Sequence, residues 1–414
     1  MNGREHNATK IRIVHVINSF QFGGAEAMLC NLVLRTDRDR FEPSVVALID
    51  DMTVAGPLIK AGIPITVIGM KPGLPDPRGV WRLARHLRAA RPAVVQTWMD
   101  HSNLIGGIAS RMGCDAHVVW GVHHSEHVRG VAKRSTLLTV SACAKLSRRV
   151  PSQIVLCSNY SRTHYAERGF AAEKLTVIPN GFDTSLFRPD ADARRNVRQE
   201  LGLRDDEVVF GLAARYDPMK DPGNFLQAAA LLAKRHASAR FVVYGANMNR
   251  DNAELMEQID ALGLVDRIVL LGPRRDVARV HAAMDVAVLS SISEAFPLVL
   301  GEAMSCGVPC VSTDVGDASL IVGDFGRIVP RRDPQAMADA WGDMIAMGAT
   351  GRAQLGQQGR QRVRELFDLD AVTRRYEDLY LKLATGGSSP KPASVSEWRT
   401  TAAGGAPAPL TGNA

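Results

Sequence analysis

The sequence predicts an α/β protein of two successive doubly wound domains, each a parallel sheet with helices on both faces. Three observations predict it. Short Val/Ile-rich runs alternate with longer segments of helical pattern, the signature of βαβ units. Most of those runs are apolar throughout rather than alternating, as strands buried on both faces must be. The 414 residues exceed what one ordinary core organises, so two domains of roughly 150–200 residues follow.

The strands expected in the first half are "IRIVHV", "PSVVAL", "ITVIG", "AVVQTW", "HVVWGV", "IVLCS" and "LTVIP". Those of the second are "EVVFGLA", "RFVVYG", "RIVLLG", "VAVLSS", "PCVST" and "RIVP". The boundary falls near "IPNGFDTSLFRPDADARRNVRQELG", where Asn180-Gly181 and Pro189 mark turns before a charged helical stretch. Residues 11–183 are expected as the first domain and 184–369 as the second. A final helix over 370–384 carries Val372, Tyr376, Leu379, Tyr380 and Leu383 at helical spacing and should pack back toward the first domain. Residues 1–10 are expected to be flexible, and the Gly/Ser/Pro/Ala-rich stretch 385–414 disordered.

An apolar fraction of 46% with 22% charged residues is that of a soluble globular protein. No apolar run approaches the roughly 18 residues of a membrane helix. The opening "MNGREHNATK" has no apolar signal-peptide core, so a cytoplasmic address is expected. The cysteines Cys30, Cys114, Cys143, Cys157, Cys306 and Cys310 are scattered and read as free thiols. Cys306 and Cys310 have no second Cys/His pair to complete a metal site.

The net charge of +7 is unevenly placed. "RGVWRLARHLRAAR" carries five arginines and no acid, and Arg82, Arg85 and Arg88 step by three along one helical stripe. Six more Lys and Arg residues lie between Arg129 and Arg149, again without an acid. These patches suit an anionic membrane surface, an anionic substrate or plain solvent. Nucleic acid is not expected, because the patches lack interleaved aromatics.

Two doubly wound domains leave a cleft between the C-terminal ends of their sheets, where ligands bind. The first strand runs into "INSFQFGGAEAMLCNLVLR", with Gly23 and Gly24 before a helix. That helix start suits a phosphate, and equally a plain turn. In the second half, "EVVFGLAAR" delivers Arg215 and "YDPMKDP" places Lys220 beyond it, within turns fixed by Asp217-Pro218 and Asp221-Pro222. Two such cations clamp a diphosphate, or are simply surface charges. After "VAVLSS" comes "SEAFPLVLGEAMSCGVPCVSTD". Glu294 lies past the strand, Pro297 suits the first helical turn, and Gly307 with Pro309 ends the helix. Glu302 then tilts back toward the helix start, so both glutamates are expected at one volume. Two carboxylates beside a diphosphate repel it unless cations intervene, which Arg215 and Lys220 would supply.

The combination "RYDPMKD" and "EAFPLVLGEAMSCGVPCVSTD" resembles the retaining glycosyltransferases of family 4, with their GT-B fold of two Rossmann-like domains. The E-x7-E pair of that family falls on Glu294 and Glu302; "FGGAE" and "GRIVPRRDPQAMA" match too. The likeness covers roughly residues 11–384, and the second domain is its diagnostic part.

The resemblance implies a nucleotide-sugar donor, most often a UDP-sugar, and a glycan or lipid-linked acceptor in envelope or exopolysaccharide synthesis. Arg215 and Lys220 would hold the diphosphate and stabilise the departing nucleotide. Glu302 would bind the ribose and Glu294 the donor sugar near its reacting carbon. Phe296, Pro297, Leu298 and Val299 would line the phosphates with backbone, and Gly24 would let the first-domain loop approach. His123, rather than His124, would stand near the donor sugar. His101 also ends a strand, with a structural role favoured. Arg274 would lie by the nucleobase or in solvent. Gly245 would belong to the donor loop, although Ala246 and Asn247 depart from the family pattern there. No cofactor and no divalent metal would be needed. The Asp37/Asp39, Asp190/Asp192 and Asp368/Asp370 spacings end no buried strand and read as turns or helix caps.

Two other classes compete. A dinucleotide oxidoreductase would need G-x-G-x-x-G after a first strand with an acid about 20 residues on, and neither domain has it. A silent, membrane-associated sugar-nucleotide-binding protein would be expected to lose some of Arg215, Lys220, Glu294 and Glu302, and all four are present.

Overall fold

The structure, a computed structural model, describes residues 10–21, 23–71, 76–124 and 134–386. Every run named above falls on a strand. The first domain holds β1 (Ile11–Ile17), β2 (Phe41–Ala47), β3 (Ile65–Val67), β4 (Val94–Trp98), β5 (His117–Val122), β6 (Gln153–Leu156) and β7 (Leu175–Val177). They form one parallel sheet in the order β3-β2-β1-β4-β5-β6-β7. The second domain holds β8 (Val208–Ala213), β9 (Ala239–Tyr244), β10 (Ile268–Leu270), β11 (Val286–Leu289), β12 (Cys310–Thr313) and β13 (Gly326–Val329). Its parallel order is β10-β9-β8-β11-β12-β13.

Strand order reverses between β1 and β4 and again between β8 and β11. Chains leaving such neighbours diverge to opposite faces and open a crevice, so these two switch points fix where a ligand can sit. The two domains place them on either side of one cleft.

Both sheets are buried on both faces, which is why period-two alternation was missing. Phe210, Phe225, Phe241 and Trp341 form the aromatic centre of the second core. In the first, Trp98 and Ile13 share a core with Val372, Tyr376, Leu379 and Tyr380. These come from the last helix, Leu369–Ala384, which docks on the first domain, and the Tyr380 hydroxyl donates to Gln96 Oε1 at 3.2 Å. The two chain segments that link the domains lie side by side: Phe182 N–H donates to Phe367 O (2.8 Å) and Leu369 N–H to Phe182 O (3.1 Å).

The arginine stripe lies on the helix Pro77–Ala90, capped by Asp76, with Leu83, Ala84 and Leu87 buried and Arg82, Arg85 and Arg88 exposed. Of the second basic run, residues 129–133 lie outside the described residues, as do 1–9 and 387–414 of the expected flexible ends. All six cysteines are free thiols, and burial raises Cys143, Cys157 and Cys310 far above the usual thiol range. Among the described residues, no helix is long and apolar enough to cross a membrane.

Candidate active site

β8 ends at Ala213 and releases the segment that carries both cations. Asp217 shapes it, accepting from Met219 N–H (2.8 Å) and from Arg215 Nε (2.9 Å). Asp221, at φ 47°, caps the next helix by accepting from Asn224 N–H (3.2 Å). The turn is stitched to the end of β11: Ser290 Oγ donates to Lys220 O (2.8 Å) and Ile292 N–H to Met219 O (2.8 Å). Lys220 is thereby held, and its Nζ lies 2.5 Å from Glu294 Oε1. The Ser291 hydroxyl donates to the same oxygen at 2.7 Å. Arg215 differs: its side chain is 61% exposed at the rim, tied through Nε to Asp217.

The helix after Glu294 starts later than the sequence suggests. Pro297, with φ −70° and ψ 105°, is the N-cap, and the helix proper is Leu298–Ser305. Phe296 is buried against Phe182, ring centroids 5.9 Å apart. Gly307, at φ 76°, follows the helix end as expected.

The two glutamates do not share one volume, contrary to the sequence expectation. Glu294 faces the interdomain cleft, about 450 Å3, with Lys220, Arg215, Gly24, His123 and residues 296–299. Glu302 lines a smaller adjoining pocket with Asn31, Asp183 and Phe187, and Leu298 forms the wall between them. Glu294 lies before the extended N-cap Pro297, and Glu302 just over one turn into the helix Leu298–Ser305, so the two carboxylates leave the chain at different levels. Behind Glu302, His281 Nε2 lies at 3.8 Å, with the Tyr244 hydroxyl 3.2 Å from His281 Nδ1.

The first domain supplies the opposite wall. Gly24 opens the helix Gly24–Arg35, and a Cβ there would come within 3.3 Å of Leu298 Cδ1. Glycine lets the two domains approach at this point. His123 follows β5 and stacks on Trp98, ring centroids 4.9 Å apart and 18° from parallel. It is partly exposed along the cleft, with both ring nitrogens covered and the Asn180 side chain close by. Burial, with the neighbouring His124, pushes its pKa down to about 3, Asn180 opposing. The imidazole is therefore neutral, a donor and acceptor without charge.

Two expected donor residues lie elsewhere. Gly245, at φ 136°, is outside the cleft lining, and a Cβ there would meet Ala214 O at 2.1 Å. Its glycine serves close packing of the segment after β9 on that after β8. Arg274 is also outside the lining; it pairs with Asp276 (2.8 Å) and Glu200 (2.7 Å), which raise its pKa further. His101 is half-buried in the helix Asp100–Gly113 and does not line the cleft. Asp37, Asp190 and Asp368 accept from the backbone N–H groups of Asp39, Ala193 and Asp370, respectively, so each Asp-x-Asp spacing is a turn or cap.

The sequence reading missed Glu26, Met99 and Asn180, which all line the cleft. Glu26 stood inside the quoted "FGGAE"; burial raises its pKa. Met99, at φ 74° and ψ 158°, holds a backbone conformation almost confined to glycine, a strain no sequence pattern announces. Asn180 read as a turn residue, yet it is buried with its Oδ1 unpartnered.

Two family models match the chain. The model for Glycosyltransferase Family 4 matches residues 22–186, and that for Glycosyl transferases group 1 matches residues 193–362. The chain is 26% identical over 273 residues to the UDP-Gal:alpha-D-GlcNAc-diphosphoundecaprenol alpha-1,3-galactosyltransferase of Escherichia coli, covering 64% of this chain and 69% of that protein. It is 34% identical over 193 residues to the D-inositol 3-phosphate glycosyltransferase of Mycobacterium marinum, covering 45% of this chain and only 39% of that relative. It superimposes on Anabaena Alr3699/HepE in complex with UDP with a TM-score of 0.79 at 24% identity, over 89% of this chain and 99% of that one. That likeness speaks to the fold, and the two family models together span β2 to β13 and the cleft residues named above. The chain belongs to the family 4 type of glycosyltransferases and has their GT-B fold.

Proposed function

We propose that the protein is a retaining, metal-independent transferase that moves a hexosyl or N-acetylhexosaminyl group from a UDP-sugar to a glycan or lipid-linked acceptor. One observation carries this reading: the Lys220–Glu294 pair at the end of β11, beside backbone 296–299 and facing a neutral histidine across the cleft.

The chemistry follows from the charges. An arriving diphosphate is a second anion for Lys220, and Arg215 swings from the rim to share it. Both cations then stabilise charge that grows on the leaving nucleotide, in the place a metal would otherwise fill. Glu294, already bonded by Ser291, is left to accept hydroxyls of the donor sugar. His123, uncharged, hydrogen-bonds the sugar from the first domain without adding a field of its own. Glu302 accepts the paired hydroxyls of the ribose from its own pocket.

UDP is favoured by the complexes of Alr3699/HepE with UDP and UDP-glucose. A lipid-linked acceptor is favoured by the diphosphoundecaprenol substrate named for the Escherichia coli relative. The outer face of the first domain suits such an acceptor. Trp81 is 56% exposed, Arg85 lies 5.8 Å from its ring, and Met112 and Ile108 are exposed on the helix alongside. Arginines around an exposed indole fit an anionic headgroup layer. The enzyme would then work as a peripheral protein on the cytoplasmic face of a membrane.

A thermal-shift panel of UDP, GDP, ADP and NAD, each with and without EDTA, tests the reading. A ligand bound only by the folded state stabilises it by roughly 2.7 kcal/mol at 100 times its Kd. Stabilisation by UDP that survives EDTA is expected; a response to NAD alone overturns it.

A further inference from the structure

We infer that Asp317 is a positioning residue that holds the donor-side loop and the acceptor-side loop in register across the cleft. The inference rests on the transfer reaction proposed above. Asp317 follows β12 in the second domain, is 6% exposed, and gives its carboxylate no bond to its own helix, Ala318–Val322. The carboxylate caps a helix of the other domain instead. Oδ2 accepts from Asn159 N–H at 2.8 Å and from its side-chain amide at 3.3 Å, and Oδ1 accepts from Tyr160 N–H at 3.0 Å. These amides begin the helix Asn159–Glu167, whose own cap, Ser158, already serves Ser161 N–H.

Both ends of this link reach the site. On the donor side, Asp317 N–H donates to Ala295 O at 3.0 Å. Gly316, at φ 52°, lies so close that a Cβ would meet Glu294 O and Ala295 O at 2.4 Å each. The Gly316–Asp317 turn is thus pressed against the backbone that carries Glu294. On the acceptor side, Ser161 Oγ donates to His124 O at 2.7 Å, next to His123. A continuous path of bonds and packed backbone runs from Glu294 through Asp317 and the helix start to His123.

A carboxylate buried between domains costs desolvation, which two backbone N–H bonds and the positive end of a helix offset. Such an arrangement adds little net stability but admits one geometry, because both oxygens must meet two successive amides. Holding reacting groups in one geometry is worth large factors in rate, and little in binding UDP, whose proposed contacts Arg215, Lys220, Glu302 and backbone 296–299 all lie on the second domain.

The test uses the full-length protein and its Asp317→Ala and Asp317→Asn variants. Three quantities are read: amide hydrogen exchange at Asn159 and Tyr160, UDP affinity by calorimetry, and UDP release from a panel of UDP-sugars with acceptor lipid extract. Exchange at the two amides is expected to rise about tenfold or more in Asp317→Ala. UDP affinity should stay within about twofold while turnover falls about tenfold or more, with Asp317→Asn between the two. Unchanged exchange and turnover in Asp317→Ala overturns the assignment. So does a loss of UDP affinity in proportion to turnover, which would make Asp317 a plain structural cap. If Asp317→Ala does not fold, the isosteric Asp317→Asn carries the same three readouts. A wild-type protein that neither binds UDP nor releases it defeats the transferase reading, while exchange at Asn159 and Tyr160 still decides the link itself.

Discussion

Lys220 Nζ lies 2.5 Å from Glu294 Oε1, and the two side chains, 22% and 14% exposed, close one end of the cleft. The contact joins the turn after β8 to the end of β11, the two strands that flank the switch point of the second sheet. Without donor, each charge neutralises the other. With donor, the lysine has two anions to serve and the glutamate is drawn toward the sugar.

Lys220→Ala is expected to lower turnover by about 100- to 1,000-fold, the usual effect of removing a group that stabilises developing charge. UDP affinity should fall by much less, since Arg215 and backbone 296–299 remain. Steady-state UDP release and calorimetric titration separate the two quantities. A purely proportional loss would mean that Lys220 binds ground state and transition state alike.

Glu302 sits in its own pocket, so its loss should register as binding. Glu302→Ala removes hydrogen bonds to a charged acceptor, worth about 1.5–3 kcal/mol, or about 10- to 100-fold in UDP affinity. Turnover at saturating donor should hold. Undiminished affinity in a folded variant, checked by circular dichroism, would remove Glu302 from the donor site.

The sequence disclosed what depends on burial and chain order. Strands buried on both faces announce themselves as continuous apolar runs, so all of β1 to β13 were legible, and with them the strand ends where Arg215, Lys220, Glu294 and His123 stand. What stayed hidden depends on partners distant in sequence. Arg274 is turned to Glu200 and Asp276 by a contact no local pattern encodes. Glu302 is set apart from Glu294 because the chain at Pro297 stays extended and delays the helix by a residue. Asp317 stands directly before its own helix, Ala318–Val322, yet it serves a helix of the other domain.

Gly245→Ala tests packing rather than chemistry. Its φ of 136° is closed to alanine, and the added Cβ would overlap Ala214 O. Relief requires moving the segment after β9 away from the segment that leads to Arg215. A loss of about 2 kcal/mol or more is expected, at the upper end for a single substitution. Urea melts of the two proteins measure it; equal midpoints would show that the segment moves freely.

The arginine stripe gives a prediction that does not involve catalysis. Each arginine near an anionic surface contributes about 1 kcal/mol, so Arg82→Gln, Arg85→Gln and Arg88→Gln together should weaken binding to phosphatidylglycerol vesicles about 100-fold. Trp81→Ala should weaken it further. Co-flotation with phosphatidylglycerol and with neutral phosphatidylcholine vesicles checks this. Equal binding to both, or to neither, would leave the patch facing solvent.

Acid stability isolates His15. It is wholly buried, its Nδ1 accepts from Trp98 Nε1 at 3.2 Å, and burial pushes its pKa from 6.5 down to about 3. Protonating Nδ1 would break that bond. The unfolded chain takes up the proton below pH 6.5 and the folded chain does not until near pH 3, so stability is full above pH 6.5 and falls as pH drops. The loss from His15 is about 1.4 kcal/mol per pH unit, or about 2 kcal/mol between pH 6.5 and pH 5. His123, shifted the same way, adds to it. His15→Gln should begin less stable at pH 7.5 and lose less on acidification. Denaturant melts of both proteins at pH 7.5 and pH 5 measure the difference, and an identical acid loss in the two would place the sensitive group elsewhere.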